Sequence, residues 1–209
     1  MQDRKKSIID SEQISTSRLE TLTDGIFAIA MTLLVLEIHV PELLEVTSSG
    51  ELFNQVGHLW SIIGSFIVSF LVLGMFWVSH HIEFHYIKKL DNKLIWLNMC
   101  YLLFVSFIPF SAALLGRYPH NQFAVVLYAL HLIAMVGVQY SMWQHASHNS
   151  SLLSENVDPR LNSLVNKIGF LAISGYLVAI VFSFWSIEAA LVMYALIPLP
   201  YIFGWIYKL

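Results

Sequence analysis

The residues of this 209-residue chain that could do chemistry gather in two places. In the first, Arg18, Thr21, Thr23 and Asp24 stand directly ahead of an apolar block from Gly25 to Leu36, which Glu37 closes. A lipid-facing helix needs about 20 apolar residues to cross the hydrocarbon core. This block is shorter, so a crossing helix carries the polar cluster at or near membrane depth, where such groups face protein or water. At 100° per residue, Leu22, Gly25, Ile29, Thr32, Leu33 and Leu36 fall on one stripe, while Asp24, Met31 and Val35 lie on another. One face can line something while the other packs. In the second place, His80, His81, Glu83 and His85 invite a metal reading, because His81 and His85 share a helical face. A structural zinc site wants four ligands, Glu83 points elsewhere on the helix and no Cys lies nearby, so no metal is expected. His80 or His81 is better used as a buried hydrogen-bond partner for a polar group on a neighbouring helix.

Catalytic patterns are missing elsewhere: there is no Ser-His-Asp spacing, no HExxH and no glycine-rich phosphate loop. An enzyme is therefore not expected, nor a cofactor. The single Cys100 sits inside an apolar run, which excludes an intramolecular disulfide framework and makes it a small packing residue.

The elements that must position these residues follow from composition. With 57% hydrophobic and 12% charged residues, the chain is far more apolar than soluble domains, which average roughly 25% charged. It reads as an all-α integral membrane protein. Beyond the opening helix, charge-free runs at Leu59 to Ser79, Leu94 to Gly116, Phe123 to Trp143, Ile168 to Ile187 and Ala189 to Tyr207 are each long enough to span. Six transmembrane helices result, in one domain over residues 1–209 with no room for a soluble domain. The polar residues 1–17 lack an apolar signal-peptide core and read as a retained cytoplasmic tail. With that tail inside, every Lys and Arg except Arg117 falls on the cytoplasmic side, so both termini are cytoplasmic and the Pro41 to Gly57 loop is external. Glu42, Glu45 and Glu51 make that loop acidic, either as an ordinary solvated loop or as a rim that concentrates cations. The sequon Asn149-Ser150-Ser151 falls on the predicted cytoplasmic side, and a turn is expected at Asp158-Pro159.

Along the chain, Ser61, Ser65 and Ser69 form a small-residue stripe that lets another helix approach closely. Trp77 and Tyr86 suit a membrane-interface belt. The third span carries Asn98 near its cytoplasmic end and Pro109 deeper in, with Ser106 placed to help satisfy the carbonyl that the proline frees. His131 and Gln139 in the fourth span should bond across helices. Pro198 and Pro200 mark an irregularity in the last. Arg18 and Asp24, on different faces, are expected to find partners on other helices, with His80, His81 and Asn98 the leading candidates.

The run Arg18-Leu-Glu-Thr-Leu22-Thr23-Asp24-Gly25 followed by IFAIAMTLLVLEI resembles the R-x-x-x-F-S-D signature of the transmembrane protein 175 family of potassium-permeable channels. Trp77 with His80-His81, then Asn98 and Pro109, continue the match. Leu22 replaces the signature Phe and Thr23 the Ser, which keeps apolar bulk and hydroxyl. The resemblance implies a homotetramer of single-repeat subunits in a prokaryotic plasma membrane, with the first helix of each lining a central pore. It also implies a hydrophobic filter, with rings at Ile29 and Leu36 and with Thr32 or Leu33 between them. Potassium would be the favoured ion, with other monovalent cations and protons as further permeant species, and no nucleic acid partner is implied. A secondary transporter and a non-conducting membrane scaffold stay open as alternatives. Corresponding halves with midplane ionisable groups would mark the transporter, and the charge-free second to sixth spans argue against it.

Overall fold

A computed structural model of the chain describes residues 15–40, 48–149, 151–154, 157 and 159–202. Within them the elements are helices, joined by one antiparallel bridge between Ile87 and Leu153. In order they are α1 (Thr16–Leu36), α2 (Ser49–Gly57), α3 (Trp60–Tyr86), α4 (Asn92–Arg117), α5 (Gln122–His148), α6 (Pro159–Ser183), α7 (Ile187–Leu196) and α8 (Leu199–Ile202). Of these, α1, α3, α4, α5 and α6 are long and apolar enough to cross a membrane, and the apolar stretch through α7 is shorter. The protein is a multi-pass, all-helical membrane protein.

Local chemistry sets the helix boundaries. Ser15 Oγ accepts the Arg18 N–H at the start of α1, and Asp91 Oδ1 accepts the Leu94 N–H at 2.8 Å to open α4. Each hydroxyl or carboxylate satisfies one of the orphan donors of a first turn. Pro159 opens α6, where its missing N–H is no loss. The fifth apolar run therefore belongs to a helix that begins well before Ile168 and ends at Ser183. The charge-free run leaves out the polar first turns of this helix, in which Asn162 and Asn166 accept bonds from Trp143 and Gln144 of α5. In the last apolar stretch, Pro198 and Pro200 cannot donate to the carbonyls one turn back, and the helix breaks between α7 and α8. The rest of that stretch, to Tyr207, and Lys208 after it lie outside the described residues, as do Pro41, Glu42 and Glu45, Ser150 of the sequon, and Asp158.

Two expectations need correction. The stretch ahead of Gly57 is not plain loop, because Ser49–Gly57 is helical, capped by Ser48 Oγ on the Glu51 N–H at 3.3 Å. And the Ser106 hydroxyl does not reach the Val105 carbonyl that Pro109 frees. It donates at 2.8 Å to Leu102 O, the carbonyl directly one turn back on its own side of α4.

Helices α4 and α5 form the centre. On one side α1 and α3 pack on α4 and on each other; on the opposite side α6 and α7 gather against α5. The serine stripe of α3 permits close approach. A Cβ on Gly116 would stand 3.0 Å from Ile62 Cα, Ser65 Oγ donates to Ala112 O at 2.7 Å, and Ser69 Oγ meets the Tyr128 hydroxyl at 2.9 Å. The predicted bonds across helices form, since His131 Nε2 lies 3.0 Å from Phe104 O and Gln139 Nε2 donates to Glu83 Oε1 at 3.2 Å. Tyr101 is wholly buried between α1 and α3, its ring 6.0 Å from Phe27, 6.4 Å from Phe76 and 5.7 Å from His80.

Candidate functional site

Helix α1 is packed on one face and bare on the other. Leu19, Thr23, Phe27, Ala30 and Leu34, at spacings of three and four, are buried against α3 and α4. On the far side Leu22, Gly25, Ile29, Thr32, Leu33 and Leu36 are all exposed, with Ile29 at 59% and Leu36 at 65%. The stripe read from periodicity is thus a surface of the folded chain. Met31 is half-buried and Val35 exposed, so the bare face is wider than that stripe. Along it, Thr32 Oγ1 donates back to its own helix, 3.0 Å from Ala28 O and 2.9 Å from Ile29 O. With its proton committed there, the hydroxyl oxygen keeps lone pairs for an outside donor or cation.

The polar end of α1 is tethered by two neighbouring helices. Asn98 of α4 bridges: its Nδ2 donates to Thr23 Oγ1 at 3.2 Å, and its Oδ1 lies 2.9 Å from His80 Nε2. An amide oxygen only accepts, so the imidazole donates from Nε2. All three residues are buried, and the chain of bonds links α1, α4 and α3. Asp24, one position on and 100° round the helix, accepts at 2.8 Å from the indole Nε1 of Trp77. His81 stacks on that indole at 5.9 Å. The partner of Asp24 is thus Trp77, while His80 and Asn98 serve Thr23. Arg18 is exposed, and its side chain meets no partner among the described residues.

At the opposite end of α1, Glu37 Oε2 and Arg117 Nη2 of α4 pair at 3.1 Å. Sequence reasoning missed this pair, although Arg117 stood out as the lone outer cation and Glu37 as the close of the apolar block. It also missed Tyr101 and the burial of Glu83, because an aromatic or a carboxylate near a helix end carries no periodic mark of its partner. Outside the spans, Asp91 both caps α4 and accepts from His145 Nε2 at 2.7 Å. Partial burial pushes its carboxyl up, but the Leu94 N–H and the His145 bond outweigh this and hold it below the ordinary carboxylate range. Among the described residues no three His, Cys, Asp or Glu side chains converge to hold a metal ion.

The geometry is therefore that of an apolar, hydroxyl-bearing face on an edge helix, fixed at both ends. A family model described as endosomal/lysosomal potassium channel TMEM175 matches residues 18–109, the stretch from Arg18 through the tether to Pro109. A Streptomyces collinus protein named as a potassium channel is 32% identical over 90% of this chain and 92% of its own length. A Chamaesiphon minutus protein, also named as a potassium channel, is 36% identical over 84% of this chain and 88% of its own. The crystal structure of a lysosomal potassium-selective channel TMEM175 homolog from Chamaesiphon minutus matches with a TM-score of 0.79 at 30% identity, covering 90% of this chain and 97% of that one. The chain belongs to the TMEM175 family, a family of ion channels and not of enzymes.

Proposed function

We propose that the chain is one subunit of a potassium-favouring cation channel, with four copies arranged so that α1 of each lines a central pore. The observation that carries this reading is the bare face of α1: a spanning helix at the edge of the bundle, locked on one side and leaving Ile29, Thr32, Leu33 and Leu36 uncovered. In this assembly each subunit contributes six crossings, with α7 and α8 in the last. Both termini lie in the cytoplasm of a prokaryotic cell.

The filter has to respect the cost of dehydration. Moving a bare ion into an apolar medium costs tens of kcal/mol, so rings of Ile29 and Leu36 cannot strip a cation and return nothing. Ions pass with much of their water, and potassium, which holds its shell less tightly than sodium, is favoured modestly by a narrow apolar ring. Further tightening would dewet the path and close it. Between the two rings, Thr32 offers an oxygen whose proton is already given to its own helix, so it can stand in for one shed water.

The test is the reversal potential under potassium and sodium gradients, in bilayers holding the purified protein. Ile29→Ala and Leu36→Ala each remove methyl groups at one level of the pore. Selectivity for potassium should fall and conductance rise. Met31→Leu and Val35→Ile keep apolar bulk off the stripe and should leave permeation nearly unchanged. Unchanged selectivity in both alanine variants, with assemblies intact, refutes the filter assignment.

A further inference from the structure

Glu83 takes no part in the pore face or its tether, yet it is a carboxylate buried to 6% exposure between helices. One oxygen, Oε1, accepts from Gln139 Nε2 at 3.2 Å, and Gln139 is held in turn by the Tyr101 hydroxyl at 3.5 Å. The other oxygen, Oε2, is buried without a partner. A polar atom in that position is expensive, and natural structures rarely leave one so. Beside it lies a cavity of about 70 Å³ between α3, α5 and α6, to which Glu83, Ser79 and Gln139 bring polar groups. The remaining wall is mostly apolar, formed by Met75, Ile82, Val136, Leu164, Val165 and Ala172 among others. Apolar walls with a few convergent polar groups are how small-molecule sites are built.

We infer that this cavity is a binding site for a small primary ammonium compound, its nitrogen on Glu83 Oε2 and its alkyl body among Val136, Val165 and Ala172. Charge and shape both select the class. An ionised carboxylate oxygen only accepts, and it stays ionised in so buried a place only when a cation meets it, so its complement there is an N–H donor of opposite charge. An apolar cavity of about 150 Å³ takes benzene, so one of about half that volume suits two or three carbons. Gln139 is a poorer anchor for the nitrogen than Glu83, because its amide oxygen is uncharged and already accepts from Tyr101. No residue of α1 lines the cavity, so its occupation is separate from conduction through the proposed pore.

The experiment uses the full chain in lipid nanodiscs, with n-propylammonium chloride as probe and 1-propanol as its uncharged counterpart, read by saturation-transfer NMR against a potassium chloride background. Propylammonium should bind with a Kd on the order of millimolar, since so few heavy atoms can give little more. Glu83→Gln keeps the shape and the bond from Gln139, and should weaken propylammonium at least tenfold while leaving 1-propanol unchanged. Ala172→Leu fills the cavity from the α6 side and should abolish binding of both. Equal binding of propylammonium to the wild-type chain and to Glu83→Gln, or binding that survives Ala172→Leu, overturns the assignment. So does the absence of propylammonium binding to the wild-type chain, which would leave the cavity to water.

Discussion

Replacing Asn98 with Ala removes two bonds at once, the 2.9 Å contact with His80 and the 3.2 Å contact with Thr23. The two stranded partners do not suffer equally. Thr23 has an alternative, because a helical threonine can turn its hydroxyl to the carbonyl one turn back, as Thr21 does to Ser17 O and Thr32 to Ala28 O. His80 has none: it is stacked against Phe84 at 4.1 Å and Tyr101 at 5.7 Å, and its Nε2 points at Asn98 alone. A buried donor left unpaired costs about 1–3 kcal/mol, whereas a hydrogen bond between membrane helices contributes about 0.6 kcal/mol on average. Asn98→Ala should therefore destabilise by about 2 kcal/mol, nearly all of it through His80, and Thr23→Val, which strands one N–H of the Asn98 amide while its oxygen stays bonded, by about 1 kcal/mol. Reversible unfolding in mixed micelles, followed by circular dichroism, measures both. A loss below about 0.5 kcal/mol for Asn98→Ala, or a larger loss for Thr23→Val than for Asn98→Ala, would refute the argument that His80 is the captive partner.

Other outcomes follow from the remaining contacts. A Cys at Gly50, where a side chain meets nothing closer than Ser48 Oγ at 3.9 Å, should react with an impermeant thiol reagent outside intact cells; labelling that needs permeabilisation would reverse the proposed orientation. Arg117→Gln breaks a pair whose side chains are 50% and 32% exposed, so unfolding free energy should change by less than about 1 kcal/mol, and a much larger loss would mean the pair is covered in the assembly. The Asp91 carboxyl titrates lower in the folded chain than its ordinary value of 3.8. Its contribution is thus complete above that pH and lost as pH falls through the lowered value. Wild type and Asp91→Asn should differ in stability at pH 6 and converge towards pH 2; a constant gap across that range would show that the capping bond alone matters.

Much of the site is legible in the sequence, for a physical reason. A hydroxyl or carboxylate near membrane depth must find a partner at the same level, and His80 and Asn98 are among the few groups near that level. Which partner meets which is not legible. Thr23 and Asp24 are neighbours in sequence but 100° apart on the helix, so one faces Asn98 and the other Trp77 according to how α1 crosses α3 and α4. Periodicity carries no information about crossing. The bare stripe follows directly from spacing, whereas the helix Ser49–Gly57 is hidden from an apolarity search although Ser48 and Glu51, three apart, mark its start. Glu83 shows the opposite failure, since nothing in its neighbourhood in sequence points to Gln139.

The two tethers of α1 act through Thr23 and Asp24, about two turns into the helix, and through Glu37 at its close. From Asp24 to Glu37 the helix rises about 20 Å, and over that length its contacts are apolar and without direction. A rod pinned at both ends resists turning about its own axis, because rotation would break directional bonds at each. It resists bowing far less, since apolar contacts slide. If the bare face lines a pore, its width is then adjusted by flexure of the unpinned middle and by rotamers of Ile29 and Leu36, and a corkscrew motion of α1 is the movement the fold opposes most.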